Sequence, residues 1–134
     1  MLVADNVLKL IGKTPIVKLN KITKNLEANI FVKVEYVNPT GSLKDRIALR
    51  MIEQAEQDGS LKEEYTIVES STGNTGTSLA FVGTMKGYKV MIFETSPGKM
   101  GDEKMKLMRN YGAEVRQITP KEMEGLREKS VPGA

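Results

Sequence analysis

Hydrophobic positions along the chain follow two alternating rhythms. Ile30-Phe31-Val32-Lys33-Val34 is rich in β-branched residues and predicts a strand. Asn38-Pro39-Thr40-Gly41-Ser42 supplies turn residues, and a helix is predicted from about Leu43 to Gln57. Its apolar residues Leu43, Ile47, Met51, Ile52 and Ala55 recur at helical spacing, which predicts one buried face. Asp58-Gly59 stops it. Tyr65 to Val68 reads as the next strand, Ser70 to Gly76 as a polar loop, and Thr77 to Lys86 as a second helix closed by Gly87. Lys89 to Phe93 is a further strand, Ser96-Pro97-Gly98 a turn, Asp102 to Asn110 a third helix, and Glu114 to Ile118 a last strand. Ahead of this series, Val7, Leu8, Leu10 and Ile11 form a short apolar pattern. The turn Gly12-Lys13-Thr14-Pro15 and a short strand at Ile16–Leu19 follow.

Strands separated by helices predict right-handed crossovers and a parallel sheet. The expected fold is α/β, a three-layer open and mostly parallel sheet with helices on both faces. The expected organisation is an N-terminal segment over residues 1–25, an α/β domain over 26–119, and a loose tail over 120–134. Ligands of open parallel sheets sit beyond the carboxyl ends of the strands. The loops at 38–46 and 70–77 leave such ends, so this fold brings them together.

Both loops carry unusual chemistry. In Asn38-Pro39-Thr40-Gly41-Ser42-Leu43-Lys44-Asp45-Arg46, Ser42 is placed to cap the helix with Asp45 as its acidic partner. Lys44 then falls in the first turn, where a cation opposes the helix dipole. It is either a solvated lysine or an amine held there as a nucleophile. In Glu69-Ser70-Ser71-Thr72-Gly73-Asn74-Thr75-Gly76-Thr77-Ser78, a capped turn would need one hydroxyl, and six are present. The glycines allow close approach or positive φ, and helix-start amides beside hydroxyls suit a carboxylate or phosphate.

Composition narrows the chemistry. The 134 residues hold no Cys and no His, which excludes disulfides, thiolate zinc sites and the commonest general base and metal ligand. No metal site is expected, and proton transfer falls to Lys, Tyr, Asp, Glu, a hydroxyl or water. The net charge of +3 is spread along the chain without a like-charge block, and aromatic residues are few, which argues against nucleic-acid binding. No apolar run is long enough for a membrane span, and the first residues do not form a signal peptide, so a cytoplasmic location is expected.

Two phosphate motifs are approached and missed. Gly12-Lys13-Thr14 resembles the end of a P-loop, but Val7 stands where its first glycine belongs and Pro15 where its helix should begin. Ser71-Thr72-Gly73-Asn74-Thr75-Gly76 is a dinucleotide fingerprint with Ser71 in place of the first glycine, and Glu94 ends the next strand where a ribose-binding acid could sit. A dinucleotide-binding, Rossmann-like domain is therefore an alternative on spacing.

The ordered set of motifs is more specific than any one of them. PTGSLKDR at 39–46 resembles the cofactor-lysine signature of the fold-type II pyridoxal-phosphate enzymes, and STGNTG at 71–76 the asparagine loop of the cysteine synthase and cystathionine β-synthase family. IGKTPIVKLN at 11–20, GYKVMIF at 87–93 and YGAEV at 111–115 are similar to further family segments in the same order. The resemblance implies the small domain of such an enzyme plus its N-terminal segment. It implies that Lys44 forms the Schiff base with pyridoxal 5'-phosphate and moves the substrate α-proton. Asn74 would bond the cofactor's ring oxygen. Ser71, Thr72 and Thr75, with backbone amides around Gly73 and Asn74, would hold the amino acid's α-carboxylate. The implied activity is that of a transferase or lyase of cysteine biosynthesis, a β-replacement in which O-acetylserine and sulfide give cysteine. Family members are about twice as long or more, and their second half carries a glycine-rich phosphate loop that does not occur after residue 119 here. The chain is thus expected to be a partial enzyme, joined to a second chain or forming a homo-oligomer, or else a non-catalytic truncated homologue serving as a fold remnant or interaction module. An exposed apolar face would mark the former.

Overall fold

The computed structural model describes residues 3–94, 99–119 and 122. Short 3-10 turns at Val7–Leu10 and Glu35–Val37 flank a two-stranded hairpin of β1 (Ile16–Lys18) and β2 (Phe31–Lys33). Then come α1 (Lys44–Gln57), β3 (Thr66–Ser70), α2 (Asn74–Met85), β4 (Lys89–Glu94), α3 (Lys99–Asn110) and β5 (Glu114–Gln117). The α/β class and the parallel sheet are as expected, with strand order β3-β4-β5. The first correction concerns β2. β2 does not join the parallel sheet but pairs antiparallel with β1, Val17 opposite Val32. The loop after it therefore leaves a hairpin, not a parallel strand. The residues from Ser96 to Gly98 and nearly all of the expected tail at 120–134 lie outside the described residues.

Three parallel strands taken in sequence order put successive right-handed crossovers on one side. The packing agrees. Val90 and Ile92 of β4 and Val115 of β5 are buried with Ala80 of α2 and Met105 and Met108 of α3. Ile67 of β3 joins both this cluster and a second one, in which Leu8, Ala48 and Ile52 meet Leu79 and Val82. The expected helices on both faces are corrected as well: among the described residues the opposite side of the sheet stays open, with Val68 exposed and Met91 and Phe93 half-buried. α2 lies at the centre, against α1, α3, β3 and β4. That placement explains its sequence: a helix enclosed on every side has no polar face to keep, and its residues 76 to 80, 82 and 83 are all buried.

α1 departs from its predicted face. Its buried residues are Asp45, Ala48 and Ile52, spaced at i, i+3 and i+7. Leu43, Ile47 and Met51, expected inside, are exposed. The cause is Asp45. Its carboxylate is anchored to α2, as shown below, and this anchor fixes the helix rotation. Small Ala48 then meets α2 closely, while Ile47 and Met51 are turned away.

Candidate functional site

Lys44 opens α1 and is half-buried, and among the described residues its Nζ has no hydrogen-bond or ionic partner. The predicted capping box does not form. Leu43 is the N-cap, and the Ser42 hydroxyl accepts from the Lys44 amide at 3.1 Å, one residue earlier than a box requires. Asp45 turns inward instead. It is fully buried and accepts from the Thr40 amide at 2.8 Å, from the Thr40 hydroxyl, and from the Ser78 hydroxyl of α2 at 2.6 Å. Thr40 and Ser78 also stand 3.3 Å apart. The residue next to Lys44 thus ties the lysine loop directly to α2.

Arg46 makes the second tie. Its Nε and Nη2 donate to the two Glu35 oxygens at 2.7 and 2.9 Å, and Nη2 also reaches Gly12 O and Thr14 Oγ1. Thr14 and Asn38 donate to Glu35 as well. Arg46 and these donors hold the Glu35 carboxyl down at about 2, from an ordinary 4.5, and Glu35 in turn raises Arg46. Gly12 sits at φ +80°, and a Cβ there would lie 2.6 Å from Arg46 Nη1. The segment that mimics a P-loop therefore has a different role: it cradles a guanidinium.

The second loop is shorter than expected, because α2 begins at Asn74 and not at Thr77. Gly73 is the N-cap, at φ −125°, and neither Gly73 nor Gly76 has the positive φ that the sequence allows. Ser71 Oγ accepts from the amides of Gly73 and Gly76 at 3.3 and 3.0 Å, so its own proton remains free to donate. The amides of Asn74 and Thr75 and the hydroxyls of Thr72 and Thr75 take no partner among the described residues. These are oriented donors at the positive end of a buried helix, a setting for an anion. Asn74 is exposed, and its Oδ1 accepts from Lys104 Nζ of α3.

The structure therefore joins the two loops, through Asp45 and Ser78. Sequence reasoning missed three parts of the arrangement: the inward turn of Asp45, the Glu35–Arg46 network and the reach of Lys104. Asp45 carried a signal, since it lies on one face with Ala48 and Ile52. Glu35 and Lys104 carried none, because each needs a partner distant in sequence.

Known proteins share this architecture. A model of the pyridoxal-phosphate dependent enzymes matches residues 7–131. A cysteine synthase of Staphylococcus aureus is 50% identical over 116 residues, covering 87% of this chain and 36% of the relative. A cystathionine beta-synthase of Dictyostelium discoideum is 45% identical over 114 residues, covering 85% of this chain and 22% of the relative. Among solved structures, a hydrogen sulfide-producing enzyme from Fusobacterium nucleatum superposes with a TM-score of 0.83 at 38% identity, over 97% of this chain and 44% of that one. The chain spans little more than a third of the length of the curated cysteine synthase it matches.

Proposed function

Because the chain belongs to the family of pyridoxal-phosphate dependent enzymes, we propose that it forms the lysine-bearing part of a cysteine synthase, a β-replacement enzyme acting on an activated serine such as O-acetylserine. The observation that carries this reading is the tie at Asp45. It secures a lysine amine to the helix whose first turn presents open donors, both without partners among the described residues. An amine suits the cofactor's aldehyde, and open donors suit its ring oxygen and a substrate carboxylate, so the residues present fit the aldehyde and ring of the group. When bound, pyridoxal phosphate supplies an electron-withdrawing ring that stabilises charge at a substrate carbon.

The chain's own residues then have distinct tasks. Lys44 Nζ is the attachment point, and as a free amine it takes and returns a proton at the substrate α-carbon. This chain's own residues include no His or Cys to compete for that role. Asn74 Nδ2 donates to the ring oxygen. The free Ser71 proton, the hydroxyls of Thr72 and Thr75 and the amides of Asn74 and Thr75, just after the Gly73 cap, orient the carboxylate.

A second feature bears on assembly. Besides Ile47 and Met51, the hairpin leaves Ile16, Val17, Phe31 and Val32 exposed, and a groove of about 600 Å³ runs along α1 between Arg46 and Asp58. Apolar surface of this kind favours association with further polypeptide, either another copy or another chain. Among the described residues, no helix is long and apolar enough to cross a membrane.

The test is to mix the purified chain with pyridoxal phosphate, record the visible spectrum, reduce with borohydride and map the modified lysine by mass spectrometry. A saturable band with label confined to Lys44 is expected. Label scattered over many lysines, with no saturable band, would sink the proposal for this chain and favour the non-catalytic reading.

A further inference from the structure

Gly76 invites the reading that a ligand comes close to it, but in the structure α3 does. A Cβ on Gly76 would stand 3.2 Å from Met108 Cε and 3.0 Å from Ser71 Cβ. Met108 is fully buried, so this seat fixes how near α3 lies to the start of α2. Lys104 is one helical turn before Met108 on the same side of α3. The seat carries it to the asparagine loop, where its Nζ donates to Asn74 Oδ1.

A side-chain amide has an acceptor at one end and two donors at the other. With Oδ1 held by an ammonium, turning the amide over would break a charge-assisted bond and aim its N–H groups at a cation. We infer that Lys104 is a positioning residue. It holds the Asn74 amide with its Nδ2 hydrogens facing outward as donors, ready for an oxyanion. This deepens the proposed function, and rests on it only for the identity of that oxyanion, the ring oxygen of the cofactor.

The orientation can be tested without cofactor, on the intact chain, by nitrogen-15 NMR of side-chain amides. Asn74→Ala identifies the Asn74 pair. The wild type and Lys104→Arg should show that pair shifted from random-coil positions. Lys104→Met should return it to them, while the backbone resonances of α2 and α3 stay in place. An Asn74 pair unchanged by Lys104→Met overturns the inference. Titration with pyridoxal phosphate then tests its consequence. Lys104→Met should weaken apparent affinity about three- to tenfold, with Arg restoring it. Equal affinity of Lys104→Met and wild type overturns the role toward the cofactor. If the wild type itself takes no cofactor, the proposed function fails, and the NMR result alone decides the part played by Lys104.

Discussion

Asp45 and Arg46 follow Lys44 directly, and they tie it to two regions by two kinds of chemistry. Asp45 is a fully buried carboxylate that among the described residues meets neutral donors, an amide and two hydroxyls, and it reaches inward to α2. Arg46 is partly exposed, meets the charged Glu35, and reaches outward to the N-terminal segment. Burial makes the difference. Groups removed from water must find their partners inside, and losing one partner strands the others. A pair with access to solvent can fall back on water. The inner tie should therefore be costly to break, while the outer one should be milder and sensitive to acid.

Asp45→Ala is the largest expected effect. It strands the Thr40 amide and the Thr40 and Ser78 hydroxyls, and should cost about 3 kcal/mol of stability in urea unfolding at neutral pH. A loss within the noise of the wild type would mean that water replaces the carboxylate and that the inner tie is not buried in solution. Ser78→Ala removes one donor and leaves the other two, so about 1 kcal/mol is expected by the same measurement. If the Asp45 and Ser78 losses add fully in the double variant, the two residues are not coupled and the tie does not exist as described.

The alternation of β3, α2, β4, α3 and β5 was legible in the sequence because each element obeys a local rhythm. The two loops were legible because their residue types are unusual where they stand. The rotation of α1 was not. Leu43, Ile47 and Met51 present a strong apolar stripe, and Asp45 reads as a surface cap. Thr40 supplies part of what a buried carboxylate needs, but its link into α2 depends on the distant Ser78, and that pairing spans 33 positions. β2 misled for a related reason. Its β-branched residues mark a strand but not its neighbour, and the pairing with β1 depends on a register that no local pattern encodes. Thr119 and Glu122 supply a converse case. They exchange hydrogen bonds in the form of a capping box, a spacing visible in the sequence and overlooked there.

Glu35→Gln sharpens the contrast through pH. Arg46 and the Thr14 and Asn38 donors hold the Glu35 carboxyl at about 2 in the folded chain, against an ordinary 4.5. A lowered folded value means that the unfolded chain takes up the proton first as pH falls. The stabilisation is thus fully present above 4.5 and is lost progressively between about 4.5 and 2. Acid titration of folding should show a slope in that window, and Glu35→Gln should flatten it, leaving the cost of Asp45→Ala at neutral pH unchanged. Asp58 and Glu122 are also lowered and leave a residual slope; a slope as steep in Glu35→Gln as in the wild type would assign acid sensitivity to them and remove the distinction between the two ties.

The smallest effect belongs to the side of α1 that neither tie uses. Ile47 and Met51 are 40% and 51% exposed, so replacing both with Gln removes little buried area. Stability should stay within about 0.5 kcal/mol of wild type. What should change is association. Loss of the apolar ridge should lower the self-association or aggregation seen by light scattering as concentration rises. This separates two explanations of how α1 is turned. If Asp45 sets the rotation, the ridge is a passive outer face and the double variant folds normally. A marked loss of stability would show that Ile47 and Met51 are buried in solution, either in a differently rotated helix or in an obligate assembly. Concentration dependence of the unfolding midpoint then distinguishes the two, since only an assembly gains stability by mass action.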